Sequence, residues 1–353
     1  MPSRILIVRL SALGDIVHAL PVLAALRRSS PGIEVDWLVE QAYAPVLELA
    51  DGLRQRIVVR ADAEGAREEA SGTSVRVFGM GTGYARAMAF LRRQRYDIAL
   101  DLQGLIKSAV WARLSGAARV IGFAAAHLRE QQAAWLYTES VVPPSPAHVV
   151  EKNLAMAAHL GVAAAPPTMP IVLPESAVMD HVRDAIGPAR YAVLNPGAAW
   201  PNKRWPPERF AALAAAVLHR HGLVSFVTWG PSEQALAEAI VEASGGAARL
   251  APPTRVADLA VLLAHAALVV SGDTGPLHVA AAVEAPIVGL YGPTWPERNG
   301  PWAPDDEVVS RAAECRCHHK RQCQIGRPCI EDITVDAVVE AVDRRLARAG
   351  ARS

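Results

Sequence analysis

Residues 269–278 read Val-Val-Ser-Gly-Asp-Thr-Gly-Pro-Leu-His, and after an alanine-rich stretch residues 287–294 read Ile-Val-Gly-Leu-Tyr-Gly-Pro-Thr. The first segment predicts an apolar strand, a tight polar turn and a short helix, and the second predicts another strand that closes on a glycine turn. Such turns gather backbone N–H groups, the positive end of a helix dipole and fixed polar side chains around one point. The pattern therefore indicates an α/β fold with a site suited to a nucleoside diphosphate.

The composition predicts two domains and excludes some partners. The chain has 353 residues, 51% of them hydrophobic, and is longer than a domain with a single hydrophobic core usually is. The formal charge of +1 provides no global field for nucleic acid or an anionic membrane, so we expect anionic partners to be held by local patches. The N-terminal segment lacks signal-peptide features, and no window approaches the roughly 20 apolar residues of a spanning helix. We therefore expect a cytoplasmic protein whose four cysteines are thiols or metal ligands.

The chain repeats one rhythm of strand and helix twice, which is typical of parallel sheets covered on both faces. We predict two doubly wound, Rossmann-like α/β domains that face a cleft, residues 1–170 and 171–333, joined by a segment rich in alanine and proline. Residues 334–353 should add a helix capped by Thr334 that packs back towards the first domain. The polar stretch between Asp62 and Gly83 predicts a mobile surface insertion.

The predicted strands, in chain order, are 5–10, 35–39, 57–59, 98–102, 191–194, 223–228, 268–271 and 287–291.

The first turn, residues 10–18, places Asp15 at the carboxyl end of a strand, where an open α/β sheet binds its ligands. Asp15 is either the N-cap of the next helix or a functional carboxylate. Gly14 would allow a substrate to approach the backbone, and His18 lies one turn along the same helix face. Both interpretations remain open at this point.

Two further loops follow strands in the second half. Lys203 and Arg204 lie in a loop that contains glycine and proline, and they predict either phosphate contacts or a solvated basic turn. Glu233 either accepts hydrogen bonds from sugar hydroxyls or is a first-turn glutamate stabilised by the helix dipole. Together with the Asp273 turn, these loops predict a nucleotide-sugar pocket.

These motifs resemble those of the bacterial lipopolysaccharide heptosyltransferases, which have two doubly wound domains in the arrangement called GT-B. The resemblance rests on residues 5–15 (ILIVRLSALGD), on Asp273-Thr274-Gly275 with His278, and on residues 292–294. Residues 101–109 (DLQGLIKSA) and 36–40 (DWLVE) are similar to the heptosyltransferase I branch. The resemblance implies an inverting transfer of heptose from ADP-heptose to the Kdo sugar of the lipopolysaccharide inner core.

The resemblance also implies roles for individual residues. Asp15 would be the catalytic base, and Lys203 would neutralise the diphosphate. Ala198 and Ala199 stand where some relatives have hydroxyl residues, so their contacts with phosphate would come from backbone N–H groups. The residues implied in binding ADP-heptose are Glu233, Thr254, Asp273, Thr274, Gly275, His278, Ala198 and Ala199.

The implied acceptor, Kdo-lipid A, is anionic and lipid-anchored, so the first domain should carry local cations at the cytoplasmic face of the inner membrane. The helix predicted over residues 84–95 has an apolar and a basic face, which fits either a membrane-surface helix or an ordinary helix packed on a sheet. The residues implied in binding the acceptor are Gly14, His18, Arg60, Gln103, Lys107, Ser108 and Arg129.

Metal chemistry has two separate aspects. The sequence contains no Asp-x-Asp motif, and we expect catalysis to need neither a divalent metal nor another cofactor. A structural zinc site is an open possibility for Cys315, Cys317, Cys323 and Cys329, with His318 or His319 as alternates. The Cys-x-Cys spacing is tighter than that of most paired zinc ligands, so a metal-free segment is equally open.

Three alternative functions share this architecture. They are a heptosyltransferase II-like enzyme or other nucleotide-sugar transferase, a nucleotide-sugar epimerase, and a non-catalytic nucleotide-sugar binding protein.

Overall fold

A computed structural model describes residues 3–60, 68–69, 74–78, 82–318 and 320–350. The chain divides into two compact units, Met1–Val172 and Leu173–Ser353. Most of the insertion predicted between Asp62 and Gly83 lies outside the described residues. Each unit is a doubly wound α/β sheet, so the predicted fold class is confirmed for each of them.

The first unit is built on an eight-stranded sheet with the order β4-β5-β3-β2-β1-β6-β7-β8, in which only the β4–β5 pair is antiparallel. The strand order reverses at β1, and the last residue of β1, Val8, is the register partner of Asp101 at the end of β6. In open α/β sheets, ligands bind at the carboxyl ends of the strands beside such a reversal. The loops that follow Val8 and Asp101 therefore occupy the expected binding position of this unit.

The strands of this unit are β1 Arg4–Val8, β2 Glu34–Glu40, β3 Gln55–Val59, β4 Glu68–Glu69, β5 Ser74–Phe78, β6 Ile98–Asp101, β7 Arg119–Phe123 and β8 Glu139–Val141. Its helices are α1 Leu13–Val17, α2 Leu20–Ser29, α3 Thr82–Gln94, α4 Ile106–Leu114 and α5 Val149–His159.

Helix α3 decides between the two interpretations of the basic segment at residues 84–95. Ala87 and Leu91 are fully buried and belong to the same core cluster as Leu6 and Val8 of β1. Arg92 and its neighbouring arginines on the opposite face are exposed. The structure thus bears out the interpretation as an ordinary helix packed on a sheet.

The second unit contains a six-stranded parallel sheet with the order β11-β10-β9-β12-β13-β14. Its strand order reverses between β9 and β12, where Asn195 is the register partner of Ser271. The loops after these two strands carry Lys203 and Asp273 respectively, so the second unit repeats the arrangement of the first.

The strands of the second unit are β9 Tyr191–Asn195, β10 Val224–Val227, β11 Ala248–Leu250, β12 Leu268–Gly272, β13 Ile287–Tyr291 and β14 Glu307–Ser310. Its helices are α6 Val178–Ile186, α7 Pro207–His221, α8 Gln234–Ala243, α9 Val256–Ala264, α10 Gly275–Ala282, α11 Pro296–Asn299 and α12 Val335–Gly350.

Helix α12 packs on α7, β13 and β14. Its apolar face buries Val338 and Val342 completely, and the nearly buried Arg345 pairs with Asp306 at 2.8 Å. These contacts place the helix in the second unit; that it also packs back towards the first domain stays a prediction. The apolar stripe of the helix finds its partner on the sheet that precedes it in the chain.

A search for membrane-crossing elements covered only the residues that the structure describes. Within them, every helix is too short or too polar to span a bilayer.

The N-cap of α12 supports a first prediction. The backbone N–H of Ala337 donates to the hydroxyl of Thr334 at 3.2 Å, so the predicted cap is confirmed. Replacing Thr334 by alanine leaves this N–H unpaired and should lower the free energy of unfolding of the second unit by about 1 kcal/mol. Urea denaturation followed by circular dichroism measures the change. Thr334→Ser should behave like the wild type, and an equally stable Thr334→Ala would contradict the cap's contribution.

Candidate functional site

The loop after β1 presents a half-exposed carboxylate at the switch point of the first unit. Ala12 occupies the N-cap of α1, and Asp15 is the third residue of that helix, so the N-cap interpretation of Asp15 is wrong. The Asp15 side chain is 48% exposed, and its Oδ2 lies 2.7 Å from Nη2 of Arg9. Gly14 is buried inside the same helix turn.

The loop after β6 is held by a buried carboxylate. Asp101 is fully buried and accepts the backbone N–H groups of Gln103 (2.9 Å) and Gly104 (3.1 Å). It also accepts the hydroxyls of Ser108 (2.9 Å) and Tyr137 (2.8 Å). Burial raises the pKa of Asp101 above its ordinary value, although these hydrogen bonds favour the charged form. Ser108, predicted to contact the acceptor, supports this loop from the interior.

Gln103 connects the two loops of the first unit. Its Oε1 accepts the backbone N–H of Leu10 at 2.7 Å, and its Nε2 lies 3.3 Å from the hydroxyl of Ser11. Both partners immediately precede the helix that carries Asp15. The structure therefore brings Gln103 and the Asp15 loop together, as a shared site at the switch point requires.

The remaining residues of the predicted acceptor set lie on separate elements. His18 is nearly buried at the C-terminus of α1, with its ring edge-on to that of His148 at 5.5 Å. Lys107, near the start of α4, forms an ion pair with Glu40 at the end of β2. Arg60 follows β3, and Arg129 is an exposed residue beyond β7.

Asp273 is the centre of the polar cluster in the second unit. It is 4% exposed, and its Oδ2 lies 2.5 Å from Nζ of Lys203 and accepts the hydroxyl of Thr294 at 2.7 Å. Its Oδ1 accepts the side-chain amide of Asn299 at 2.8 Å and lies 3.3 Å from Nε2 of His278. Four groups from the segments that follow β9, β12 and β13 thus converge on one carboxylate.

The electrostatics of the cluster keep Asp273 charged. Burial alone would raise its pKa, but the hydrogen bond and charge of His278, together with the charge of Lys203, hold the pKa far below its ordinary value. Asn299 of α11 was missed by the sequence analysis, because a lone asparagine beyond the Gly-Pro-Thr motif carries no recognisable pattern. Its distance in sequence from the Asp273 turn hides the contact.

Lys203 is fixed in one orientation and keeps a donor for a ligand. It lies at the end of a short 3-10 helix, is 15% exposed, and its Nζ lies 4.8 Å from the ring centroid of Trp200. Nζ also donates to the backbone carbonyl of Asp273 at 3.2 Å. A lysine ammonium has three N–H donors, so one remains after these two contacts with Asp273. The interpretation of Lys203 as part of a solvated basic turn is therefore wrong.

Glu233 is held beside the loop that follows β9. It is the N-cap residue of α8, not a first-turn glutamate, and its Oε2 accepts the backbone N–H of Gly230 at 3.1 Å. Nη2 of Arg204 lies 3.6 Å from Oε1. A β-carbon at Gly197 would lie 2.1 Å from Oε2, so the carboxylate occupies space that only glycine leaves open. The three loops of the predicted nucleotide-sugar pocket do meet.

The polar turn at α10 is tied to β9 by Asn195. Its side-chain amide donates to the hydroxyls of Ser271 (3.0 Å) and Thr274 (3.1 Å). Thr274 is the N-cap residue of α10, and Gly275 begins the helix. Thr254 is half-buried in the loop before α9.

The cysteine segment, residues 315–329, contacts the loop that carries Lys203. The side chain of Asn202 donates to the carbonyl of Lys320 at 2.9 Å, and Arg321 donates to the carbonyl of Ala199 at 3.4 Å. On the other side of that loop, the buried Ala198 accepts Nε of Arg204 at 2.8 Å through its carbonyl. The carbonyl of Ala198 therefore already accepts a hydrogen bond. The predicted phosphate contacts involve the N–H groups of this turn, so this hydrogen bond does not test them.

The four cysteines lie close together in pairs. Sγ of Cys317 and Sγ of Cys323 are 3.7 Å apart. Burial, with a further contribution from Cys315, raises the pKa of the Cys329 thiol to about 12. Among the described residues, which exclude His319, no group of three or more cysteine, histidine, aspartate or glutamate side chains is arranged to hold a metal ion.

Comparisons with known proteins point to one family. The family "Glycosyltransferase family 9 (heptosyltransferase)" matches residues 85–327. The lipopolysaccharide heptosyltransferase 1 of Pseudomonas aeruginosa is 29% identical over 91% of this chain and 87% of that protein. The protein of the same name from Salmonella typhimurium is 30% identical over 83% of this chain and 89% of its own length.

Solved structures show the same fold. The E. coli heptosyltransferase WaaC with ADP superposes with a TM-score of 0.70 at 24% identity, over 98% of this chain and 99% of that one. The E. coli ADP-heptose lipopolysaccharide heptosyltransferase II gives a TM-score of 0.73 at 22% identity, over 98% and 99% of the two chains.

The Asp273 cluster supports a second prediction, on stability. Asp273→Asn leaves Lys203 buried without its charged partner and should lower the free energy of unfolding of the second unit by about 3 kcal/mol at pH 7. Because the folded-state pKa of Asp273 is depressed, this contribution is fully present above about pH 4, the ordinary value of an unfolded aspartate, and decreases as the pH falls below it.

Urea denaturation at pH 7 and at pH 3 measures this dependence. Asp180→Asn is the matched control, because its ion pair with Arg183 is about two-thirds exposed on both sides and should contribute little. Equal losses for the two variants at pH 7 would contradict the role of Asp273 in organising the cluster.

Proposed function

Because the chain belongs to glycosyltransferase family 9 and is thus a glycosyltransferase, we propose that it transfers heptose from ADP-heptose to the Kdo sugar of the lipopolysaccharide inner core. The observation that carries the proposal is the Lys203–Asp273 pair at the switch point of the second unit, with Glu233 on the neighbouring strand end. The relatives named lipopolysaccharide heptosyltransferase 1 support heptose as the transferred sugar and lipopolysaccharide as the class of acceptor.

The second unit would bind the donor. The third N–H of Lys203 would contact the diphosphate, with further donation from backbone N–H groups of the Ala198–Ala199 turn and from the N-terminus of α10 at Thr274 and Gly275. Glu233 would accept hydrogen bonds from the nucleotide ribose or the heptose. Asp273 and His278 would hold the heptose side of the donor, and Thr254 would border the nucleotide.

The first unit would supply the base. The half-exposed carboxylate of Asp15 would take the proton of a Kdo hydroxyl, whose oxygen would then attack the anomeric carbon of heptose. The bond to the diphosphate would break with its electron pair on ADP, and the configuration at the anomeric carbon would invert. Lys203 would stabilise the negative charge that develops on the departing ADP.

The acceptor, Kdo-lipid A, is anionic, and the first unit carries exposed cations that suit it. They are Arg129, the arginines of α3 and Lys107 near the start of α4, and the half-buried Arg60 follows β3. Gln103 would contact the acceptor beside Asp15, with Gly14 and His18 shaping that turn. We propose that the enzyme works at the cytoplasmic face of the inner membrane, bound peripherally.

The decisive experiment is the transfer assay. Purified protein with ADP-heptose and Kdo-lipid A should give a product heavier by one heptose in mass spectrometry. Asp15→Asn should lower kcat about 10²- to 10⁴-fold without weakening ADP binding, because only the proton transfer is removed. Lys203→Met should lower kcat and also weaken ADP binding. Asp51 is an exposed aspartate in the same unit as Asp15, and Asp51→Asn should behave like the wild type.

Each alternative enzyme function has its own outcome in this assay. If another nucleotide sugar serves in place of ADP-heptose, the assignment of the donor is wrong. If a heptose-bearing acceptor serves in place of Kdo-lipid A, a heptosyltransferase II-like enzyme is favoured. Conversion of the donor without any acceptor would favour an epimerase. A variant Asp15→Asn with full activity would refute its role as the base.

Metal independence is a separate proposal. The cationic side chain of Lys203 and the helix N-terminus at α10 would provide the charge stabilisation that a divalent cation supplies in other transferases. EDTA should therefore leave the initial rate unchanged. A loss of activity with an unchanged circular dichroism spectrum would contradict the proposal, whereas a loss accompanied by unfolding would indicate a structural metal in the cysteine segment.

A further inference from the structure

Arg9 is the first residue after β1, and its side chain contacts Asp15. It is 8% exposed, and its side chain is held by two groups: Nη2 lies 2.7 Å from Oδ2 of Asp15, and Nη1 donates to the carbonyl of Leu102. The backbone of Arg9 is held as well, because its carbonyl accepts the indole N–H of Trp37 at 3.1 Å. Each end of this arginine therefore has one buried partner, the carbonyl of Leu102 for the guanidinium and the indole of Trp37 for the backbone.

The two oxygens of Asp15 differ in their surroundings. Oδ2 receives Arg9 and also the backbone N–H of Ala12, the latter at a long 3.4 Å. From the residues that the structure describes, no hydrogen bond or ion pair reaches Oδ1. The side chain is about half exposed, and Oδ1, which accepts no described hydrogen bond, keeps both lone pairs available for a ligand.

We infer that Arg9 is a positioning residue that clamps Oδ2 of Asp15 and thereby assigns Oδ1 as the atom that receives the acceptor's proton. The inference rests on the proposed role of Asp15 as the base. In the reaction the acceptor O–H bond breaks, its hydrogen forms a bond to Oδ1, and the freed electron pair on oxygen forms the new bond to the anomeric carbon. The bond from that carbon to the diphosphate breaks, and its electron pair leaves with ADP.

The chemistry of arginine explains why this residue fits the position. A planar guanidinium offers separate N–H groups in a rigid fork, so it can bridge a carbonyl and a carboxylate at once. The carbonyl it uses belongs to Leu102, which directly follows Asp101 in the loop that this buried carboxylate braces. The position of Asp15 is thus set through Arg9 by the interior of the sheet, and not by its five-residue helix alone.

Arg9 could instead contact the anionic acceptor directly, and kinetics separates the two roles. Displacing a reacting group by about 1 Å can cost about 10²-fold in rate, so loss of the clamp should act on kcat. Loss of a direct acceptor contact would raise the acceptor KM. The buried guanidinium, with two of its nitrogens already in use, favours the effect on kcat.

The test uses Arg9→Gln and Arg9→Lys in the full-length enzyme. Arg9→Gln should lower kcat about 10- to 100-fold, with the acceptor KM and the ADP Kd within about threefold of the wild type. Arg9→Lys should recover part of the loss, because an ammonium can still reach one of the two partners. Arg119→Gln is the matched control, since that arginine pairs with Glu139 at a partly exposed site, and it should leave kcat unchanged.

A double variant gives a readout that a merely structural residue would not produce. If Arg9 acts through Asp15, Arg9→Gln combined with Asp15→Asn should be no slower than Asp15→Asn alone. Multiplied losses in the double variant, an unchanged kcat in Arg9→Gln, or an acceptor KM that rises with kcat constant would each overturn the inference. If Arg9→Gln does not fold, as judged by circular dichroism, the same comparisons with Arg9→Lys decide. Full activity of Asp15→Asn would instead refute the base itself.

Discussion

The second unit depends on one buried negative charge. A carboxylate in the position of Asp273 is strongly disfavoured by desolvation unless charged and polar groups surround it. Lys203 and His278 supply that compensation, and Thr294 and Asn299 complete the hydrogen bonding. Lys203 lies in the segment after β9, His278 in the segment after β12, and Thr294 and Asn299 both in the segment after β13. The requirement to stabilise one charge therefore organises the loops after β9, β12 and β13 into a single surface before any ligand arrives.

The first unit reaches a similar end through hydrogen bonds. Asp101 is also buried, and burial raises its pKa. Among the residues that the structure describes, its hydrogen-bond partners are backbone N–H groups and hydroxyls, and none of them is a cation. Asp101 fixes the loop that contains Leu102 and Gln103. The Leu102 carbonyl accepts Arg9, and Gln103 binds the backbone of Leu10, so this loop in turn holds the segment that carries Asp15. In each unit a buried aspartate at the end of a central strand stabilises the loops, and a more accessible residue is available for chemistry.

The sequence permitted prediction of the strand rhythm, the α/β class and the loops at the strand ends, because these follow from local periodicity and turn chemistry. The Thr334 cap was predictable for the same reason. The partners of Asp273 were not, since Asn299 is brought to it by a turn of the chain that leaves no local pattern. The position of Asp15 inside its helix was also missed, because Ala12 makes an unusual N-cap and propensity favours aspartate there.

The close approach of Gly197 to Glu233 has a consequence for the position of the glutamate. A methyl group at position 197 would meet the end of the Glu233 side chain, which is flexible, so the carboxylate would have to move. Moving it would take Oε2 away from the backbone N–H of Gly230 and Oε1 away from Arg204. The absence of a side chain at position 197 therefore determines where the acidic group beside the β9 loop can lie.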